Sequence, residues 1–416
     1  MSSIEWTQRT WNPIRGCSRV SPGCDHCYAI GQAHRFNAPP VQDPSGDRGL
    51  DKPAGPYHGL TIIRRGKVDW TGRAVFVPGQ LEVPLKRRKP TTWFVNSMSD
   101  LFHESLSNEE IAAVFGVMAA CPQHTFQVLT KRPRRAREWF EWIAASPVSQ
   151  GGPTVNAERG VRWHAWQYLG DLKVYDPARP WVWPLPNVWL GVSAEDQQRA
   201  DERIPLLLDT PAAVRFVSAE PLLGPIDFTR IDFPGLNLPP TFRFDALAGG
   251  GNETSTPWKI DWIVAGGESG PGARPCAIEW IESIVRQCRW AGTACFVKQL
   301  GGHVLAPWKL EWSERMDGSF DLFSTDRVGV KGTNLATVYP NCHWHTWDAN
   351  GTGGENDTAP DIETAKAQAI KALARQHVHP LKGWARHRHM LVDRKGADPE
   401  EWPEDLRVRE MPEVRS

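Results

Sequence analysis

Three of the eight cysteines in this 416-residue chain, Cys17, Cys24 and Cys27, fall in the run GCSRVSPGCDHCYA, spaced C-x6-C-x2-C. Gly16, Pro22 and Gly23 keep the first part of that run in a loop, because glycine and proline interrupt regular structure. After Cys27, the segment Tyr28 to Phe36 can turn helical, although Gly31 weakens it. Three thiolates on a compact loop at the mouth of a helix suit a soft metal, and thiolate ligands select zinc or an iron–sulfur cluster. A closed structural zinc site takes four protein ligands, which would recruit His26 or His34. Three cysteines instead leave one iron of a [4Fe–4S] cluster open to a substrate or cofactor. Both readings stand on the residues alone.

A second set of chemistry-bearing residues follows short apolar runs. Trp93-Phe94-Val95 runs into Asn96-Ser97-Met98-Ser99-Asp100, and Phe126-Gln127-Val128-Leu129 into Thr130-Lys131-Arg132-Pro133. Val188 to Val192 leads to Ser193-Ala194-Glu195, and Val214 to Val217 to Ser218-Ala219-Glu220. Trp262 to Ala265 leads to Gly266-Gly267-Glu268-Ser269-Gly270, and Ala294 to Val297 to Lys298-Gln299. Ser97, Ser99 and Asp100 suit a cofactor's amino group or ribose, or else a helix N-cap before Leu101. Gly266, Gly267 and Glu268 let backbone approach a ligand closely, or simply turn the chain. Glu195 and Glu220 are candidates for ribose hydroxyls or a cationic group, or for ion pairs with Lys131, Arg132 or Arg274. The dense basic stretch Lys131, Arg132, Arg134, Arg135 and Arg137 suits phosphate, or a solvated helix face. Cys276, Cys288, Cys295 and Cys342 are loosely spaced candidates for an auxiliary cluster, or buried small hydrophobes. Cys342-His343-Trp344-His345 and His387-Arg388-His389 are weaker metal candidates of the same kind.

The elements that must position these residues alternate. Helix-like stretches lie between the runs at Asn108 to Ala120, Arg134 to Ala145 and Ala277 to Ala291. Strands alternating with helices imply a parallel sheet, and in such folds chemistry gathers at the C-terminal strand ends. A lead-in segment carrying Trp6 and Trp11, followed by six runs, predicts a full or partial (β/α) barrel with insertions. A doubly wound parallel sheet is the alternative. Residues 37–60 read as irregular, and 146–187 and roughly 302–360 as insertions or lids. The second ends in an irregular Gly- and Asn-rich run at 350–357, followed by an Ala-rich helix from Thr364 to Gln376. The expected division is 1–300 as the main β/α domain and 301–416 as a C-terminal extension.

Composition narrows the partners. Lys plus Arg and Asp plus Glu are 48 each, so no general basic surface advertises nucleic acid, although a local patch remains open. No apolar run approaches the ~20 residues needed to cross a bilayer. The N-terminus lacks the pattern of a secretory signal, so the expected compartment is the reducing cytoplasm, where clustered cysteines serve metals or catalysis. The 21 tryptophans read first as core packing and second as stacking platforms for bases.

Several segments together resemble a family of phage- and bacteria-encoded proteins with a three-cysteine motif, related to radical S-adenosylmethionine (SAM) enzymes. They are Ile4 to Thr7, Thr10 to Pro13, the cysteine loop, Phe94 to His103 and Leu129 to Pro133. Asn187 to Ser193, Ser218 to Pro225 and Gly266 to Pro275 continue the likeness, which spans about residues 4–300 apart from insertions. The resemblance implies a [4Fe–4S] cluster on Cys17, Cys24 and Cys27, with SAM on the fourth iron. It further implies reductive cleavage of SAM to a 5′-deoxyadenosyl radical and an electron donor such as a flavodoxin or ferredoxin. The family has no established substrate; a nucleic acid or nucleotide is the expectation taken from the basic stretch. The usual radical-SAM spacing is C-x3-C-x2-C with an aromatic before the last cysteine, whereas here the first gap is six and His26 takes the penultimate place. The Gly-Gly-Glu element that usually follows the second strand is replaced there by Asn96 to Asp100, and Gly266-Gly267-Glu268 comes four strands later.

Overall fold

The computed structural model describes residues 4–39, 54–145, 153–170, 174, 182–232, 243–249, 258–270, 272–305, 309–325, 331–347, 353–366, 368–369 and 404–412. Seven strands form its main sheet: β1 (Arg9–Trp11), β2 (Thr92–Val95), β3 (Thr125–Thr130), β4 (Val188–Ser193), β5 (Val214–Ala219), β6 (Trp262–Gly266) and β7 (Ala294–Gln299). They are the lead-in strand and the six apolar runs. β1 to β6 pair in parallel, each with the next, and β7 lies beside β6. A doubly wound sheet reverses its strand order at a switch point. This order runs straight through, which removes that alternative.

The sheet is strongly curled into a half-barrel, and the ring contacts show why. Neighbouring strands lie ~4.8 Å apart, so a flat sheet would hold β1 and β6 ~24 Å from each other. Yet the ring of Trp6, just ahead of β1, lies 5.8 Å from that of Trp262 on β6, and 4.8 Å from Phe94 on β2. Trp189, Val214, Phe216, Val264 and Phe296 complete this buried cluster. Trp6 precedes its strand, and Trp189, Phe216, Trp262 and Phe296 sit in the first half of theirs, so the cluster plugs the N-terminal end of the half-barrel. Arg409 pairs with Glu5 at 2.9 Å, and Trp262 Nε1 donates to the Glu410 carbonyl at 2.9 Å, tying residues 408–410 to the same end. The C-terminal strand ends are left to polar residues.

Among the described residues, helices occupy five of the six crossovers, the exception being that from β5 to β6. Those of eight residues or more are, in chain order, α1 (Tyr28–Arg35), α2 (Asn108–Ala120), α3 (Pro133–Ala144), α4 (Pro153–Leu169), α5 (Gln197–Leu208) and α6 (Ile278–Ala291). α2 starts at a capping box: Ser107 Oγ accepts from the Glu110 N–H, and the Glu110 carboxylate accepts from the Ser107 N–H. α4 lies inside the stretch expected to be an insertion. It packs closely on α2, because Gly116 leaves room for the Val161 carbonyl: a Cβ there would sit 2.1 Å from that oxygen.

By compactness the chain divides into Met1–Gly266, Ser283–Lys298 and Val408–Ser416 as one unit, and Gly267–Glu282 with Gln299–Arg407 as the other. The second unit contains a five-stranded antiparallel sheet of successive strands: Lys309–Glu314, Phe320–Thr325, Lys331–Val338, His343–Trp347 and Gly353–Thr358. Its core gathers Val338, Trp344, Ala359, Ala365 and Ala369. The last strand covers most of the run read as irregular. Glycine and asparagine are poor strand formers alone, but pairing with 343–347 imposes the strand. Residues 362–366 are helical, at the start of the expected Ala-rich helix; 370–376 lie outside the described residues. Among the described residues, no helix is long and apolar enough to cross a membrane.

Gly191, inside β4, is a packing requirement. A Cβ on it would lie 2.5 Å from ring atoms of the fully buried Phe216. Gly191→Ala is expected to cost about 1–3 kcal/mol in urea unfolding, as overpacking does. Adding Phe216→Leu should recover part of that loss. A Gly191→Ala chain as stable as the parent would contradict this packing.

Candidate functional site

The cysteine loop is fastened across the C-terminal ends of three neighbouring strands. The first fastening centres on Arg132, which follows β3 and is buried. Its Nη1 donates to Asp100 Oδ2 at 3.1 Å and lies 3.8 Å from Cys17 Sγ. Its Nη2 donates to the Ser18 carbonyl at 3.1 Å and to Ser18 Oγ at 2.7 Å, and its Nε donates to the Glu104 carboxylate at 2.9 Å. Asp100, beyond β2, also accepts from Thr130 Oγ1 at 2.8 Å, the Lys131 N–H at 3.0 Å and the Phe102 N–H at 3.0 Å. Burial works against the Arg132 charge, but Asp100, the Cys17 sulfur and Glu104 together outweigh it and hold the guanidinium protonated. His103 closes the ring. The Ser105 N–H donates to its Nδ1, which leaves the proton on Nε2 for the Ser18 hydroxyl at 3.0 Å.

A second fastening comes from β4. Glu195, just beyond the strand, is fully buried; it accepts from the Gly23 N–H at 3.1 Å and from Arg203 Nη1 of α5 at 3.0 Å. Burial alone would raise its carboxyl, but the Arg203 guanidinium, the Ser21 hydroxyl, the Lys131 ammonium and the Gly23 N–H together outweigh that and hold it below the usual carboxylate range. Gly23 permits the approach, since a Cβ there would stand 3.1 Å from the carboxylate. Arg19 clamps the loop on itself, donating to the Cys24 and Asp25 carbonyls at 2.9 and 2.7 Å.

The three cysteines are free and half-buried. Burial pushes the Cys17 thiol up to about 12, with Asp100 adding to the rise and Arg132 opposing it. Burial also raises Cys27, which feels the Lys131 ammonium and the Cys24 sulfur. Cys17 and Cys27 pack beside Met98, Tyr57, Leu60 and the buried face of α1. The donor types suit a soft metal or cluster: three cysteines outside any disulfide on one loop, with Arg132 beside Cys17 and Lys131 near Cys27 to offset thiolate charge. Among the described residues, no three His, Cys, Asp or Glu side chains converge closely enough to hold a metal ion. His34, offered as a fourth zinc ligand, has its Nδ1 3.1 Å from Thr61 Oγ1.

The other expected site residues fall into place around the loop or apart from it. Ser97 Oγ donates to Asn12 Oδ1 at 3.2 Å, and the Ser97 carbonyl accepts from Tyr28 Oη at 2.7 Å. Ser99 Oγ donates to the Ile14 carbonyl at 2.9 Å. With Asp100, these residues hold the loop, and no helix begins at Leu101. Glu220, at the end of β5, pairs with Lys298 at 3.0 Å and accepts from Ser218 Oγ at 3.3 Å. Gly266 ends β6 and accepts the Leu222 N–H at 2.9 Å. Gly267 and Glu268 belong to the second unit. A Cβ on Gly267 would lie 2.2 Å from the Leu300 carbonyl oxygen. Glu268 is buried and held by the Arg274 side chain and N–H at 2.7 to 3.0 Å. Arg203 and Lys298, partners of Glu195 and Glu220, were not among the cations expected to pair with them. Arg203 sits eight residues after Glu195, two turns along α5, a spacing that offered a signal.

Of the basic stretch, Arg132 is structural, Arg135 donates to Asn108 Oδ1 at 2.6 Å and Arg137 to Asp209 Oδ2 at 3.1 Å; Arg134 is exposed. Cys276, Cys288 and Cys295 are buried; Cys288 lies on α6 and Cys295 on β7, and the neighbouring Cys295 together with burial raises the Cys288 thiol. Cys342 is half-buried in the turn before His343–Trp347, whose Trp344 is buried. His387 and His389 lie outside the described residues.

Arg132→Met would strand Asp100 as a buried charge. Removing one partner of such a pair costs about 3–5 kcal/mol, which urea unfolding should show. Arg132→Met combined with Asp100→Asn should lose less than the two single variants summed. A loss under about 1 kcal/mol for Arg132→Met, the scale of an exposed pair, would remove Arg132 from its central place.

Comparison with known proteins places the whole sheet and the cysteine loop in one family. Residues 1–375 match the family described as a protein of unknown function, DUF5131. No curated protein and no solved structure matches the chain. A match over that length, from the lead-in strand through the antiparallel sheet, means that the chain belongs to the DUF5131 family.

Proposed function

We propose that the chain is a radical-SAM-type enzyme that binds a [4Fe–4S] cluster through Cys17, Cys24 and Cys27, with a nucleic acid or nucleotide as substrate. The observation that carries this reading is the placing of the three-cysteine loop across the C-terminal ends of β2, β3 and β4 in a curled parallel sheet, where such folds keep their chemistry. A reduced cluster of this kind supplies an electron to SAM and so yields methionine and a 5′-deoxyadenosyl radical able to take hydrogen from a substrate.

The chain's own residues have defined parts in this reading. The three thiols lose their protons on metal binding, and Arg132, 3.8 Å from Cys17 Sγ, offsets charge that burial would otherwise oppose. Ser97, Ser99, Asp100 and Glu195 position the loop. Glu220 is the strand-end carboxylate offered to an amino or ribose group, with Lys298 as its partner until then. A structural zinc is the other reading of the cysteines. The loop, however, is already held by buried ion pairs and backbone hydrogen bonds, so a metal is not needed to order it.

Anaerobic purification with iron, sulfide and zinc analysis, then dithionite reduction and EPR with and without SAM, tests the proposal. The expected result is close to four irons per chain, a spectrum altered by SAM, and iron lost in Cys17→Ala, Cys24→Ala or Cys27→Ala. About one zinc and no iron would replace the enzyme with a zinc-stabilised binding module.

A further inference from the structure

A small hairpin beside the cysteine loop, Thr61–Arg64 paired with Lys67–Trp70, carries a feature that neither the fold nor the loop requires. Its turn is two residues, Arg65 and Gly66, both at positive φ (49° and 75°), as the tight hairpin turns demand. Trp70 and Val68 pack at its base with Ala29, Ile30 and Ala33 of α1 and with Cys17 and Cys27. Arg19 holds Asp69 at 2.8 Å. The base is therefore fixed to the loop.

The outer half is different. Every residue from Ile62 to Lys67 is exposed, Ile63 to 61%. Arg64 and Lys67 stand directly opposite each other in the ladder, a like-charge arrangement that costs stability. Arg64, Arg65 and Lys67 make no ion pair among the described residues, and Asp69, the acid nearest them on the hairpin, is bound by Arg19. Arg73, also exposed, follows the hairpin, and its carbonyl lies where a Cβ on Gly16 would be, 2.3 Å away, one residue before Cys17. Exposed cations thus stand at the hairpin tip and on the segment whose backbone passes Gly16, on a chain whose formal charge is zero.

A strand of four residues reaches ~13 Å, so a partner touching both the tip and the loop is an extended polyanion. Arginine grips phosphate with paired hydrogen bonds, and exposed isoleucines beside such cations suit contact with sugars or bases. We propose that this hairpin is an arm that binds the phosphate backbone of a nucleic acid and leads it to the cysteine loop. The binding rests on the hairpin alone; the chemistry at the loop rests on the function proposed above.

Fluorescence anisotropy with labelled mixed-sequence duplex DNA, single-stranded DNA and single-stranded RNA tests this across a salt series. The full chain is expected to bind at least one of them at low salt. The triple variant Arg64→Ala, Arg65→Ala, Lys67→Ala is expected to bind at least tenfold more weakly, with the log–log salt slope shallower by about 2–3 for three lost phosphate contacts. Arg65→Glu, a single change at the tip, should weaken binding in the same direction if the triple variant folds poorly. Unchanged affinity and slope, no binding to any of the three, or binding only to anionic phosphatidylserine vesicles would overturn the proposal. Iron content measured on the same samples separates the two readings. Nucleic-acid binding without a cluster keeps the arm and removes the enzyme; a cluster without nucleic-acid binding does the reverse.

Discussion

The structure around the cysteine loop depends on one buried ion pair. Arg132 and Asp100 meet at 3.1 Å with side chains almost wholly out of water, a placement that costs several kcal/mol per ion unless hydrogen bonds satisfy both groups. They are satisfied. Asp100 accepts from a hydroxyl and two backbone N–H groups besides the arginine, and Arg132 spends its remaining donors on Ser18, Cys17 and Glu104. The pair therefore joins the end of β2, the end of β3 and the start of the cysteine loop in one network. Glu104 adds little, being largely exposed.

That network works only because the other end of the sheet is closed. Trp6, Trp189, Phe216 and Trp262 pull the sheet into a half-barrel from its N-terminal end. Curling brings the strand tops round one mouth, so that Glu195 beyond β4 can hold Gly23 while Asp100 beyond β2 serves Arg132 beside Cys17. Packing at one end thereby fixes electrostatics at the other.

How much of this was legible in the chain follows from range. The six apolar runs read as strands because each is a short, mostly apolar segment rich in β-branched or aromatic residues, close to the pattern of a strand buried on both faces. Asn108–Ala120 read as a helix to the residue because its cap and its periodicity are local. The cysteine spacing was legible for the same reason. The pairings were not: Arg132 with Asp100 spans 32 residues, and Gly23 with Glu195 spans 172. Nothing in a linear pattern says which cation a strand-end carboxylate will meet. The Gly353–Thr358 strand was hidden by composition, since its ladder partner rather than its own propensity makes it a strand. The hairpin Thr61–Trp70 was overlooked because its turn is Arg-Gly rather than Asn-Gly.

The fastening also bears on what a metal would find. A loop ordered only by its metal spends binding energy on folding, and its ligand set is then chosen for closure, as four-coordinate structural zinc sites are. Here the ordering is supplied beforehand by Asp100, Arg132, Glu195 and Arg203, all buried or held by buried groups. Metal ligation by the cysteines is thus not needed to order the loop, although Cys17 and Cys27 pack in its buried cluster. Three thiols are enough to hold a cluster, Arg132 and Lys131 stand beside Cys17 and Cys27 to oppose the charge of their thiolates, and a position without a protein ligand is no defect in a loop that does not need the metal to stay in place.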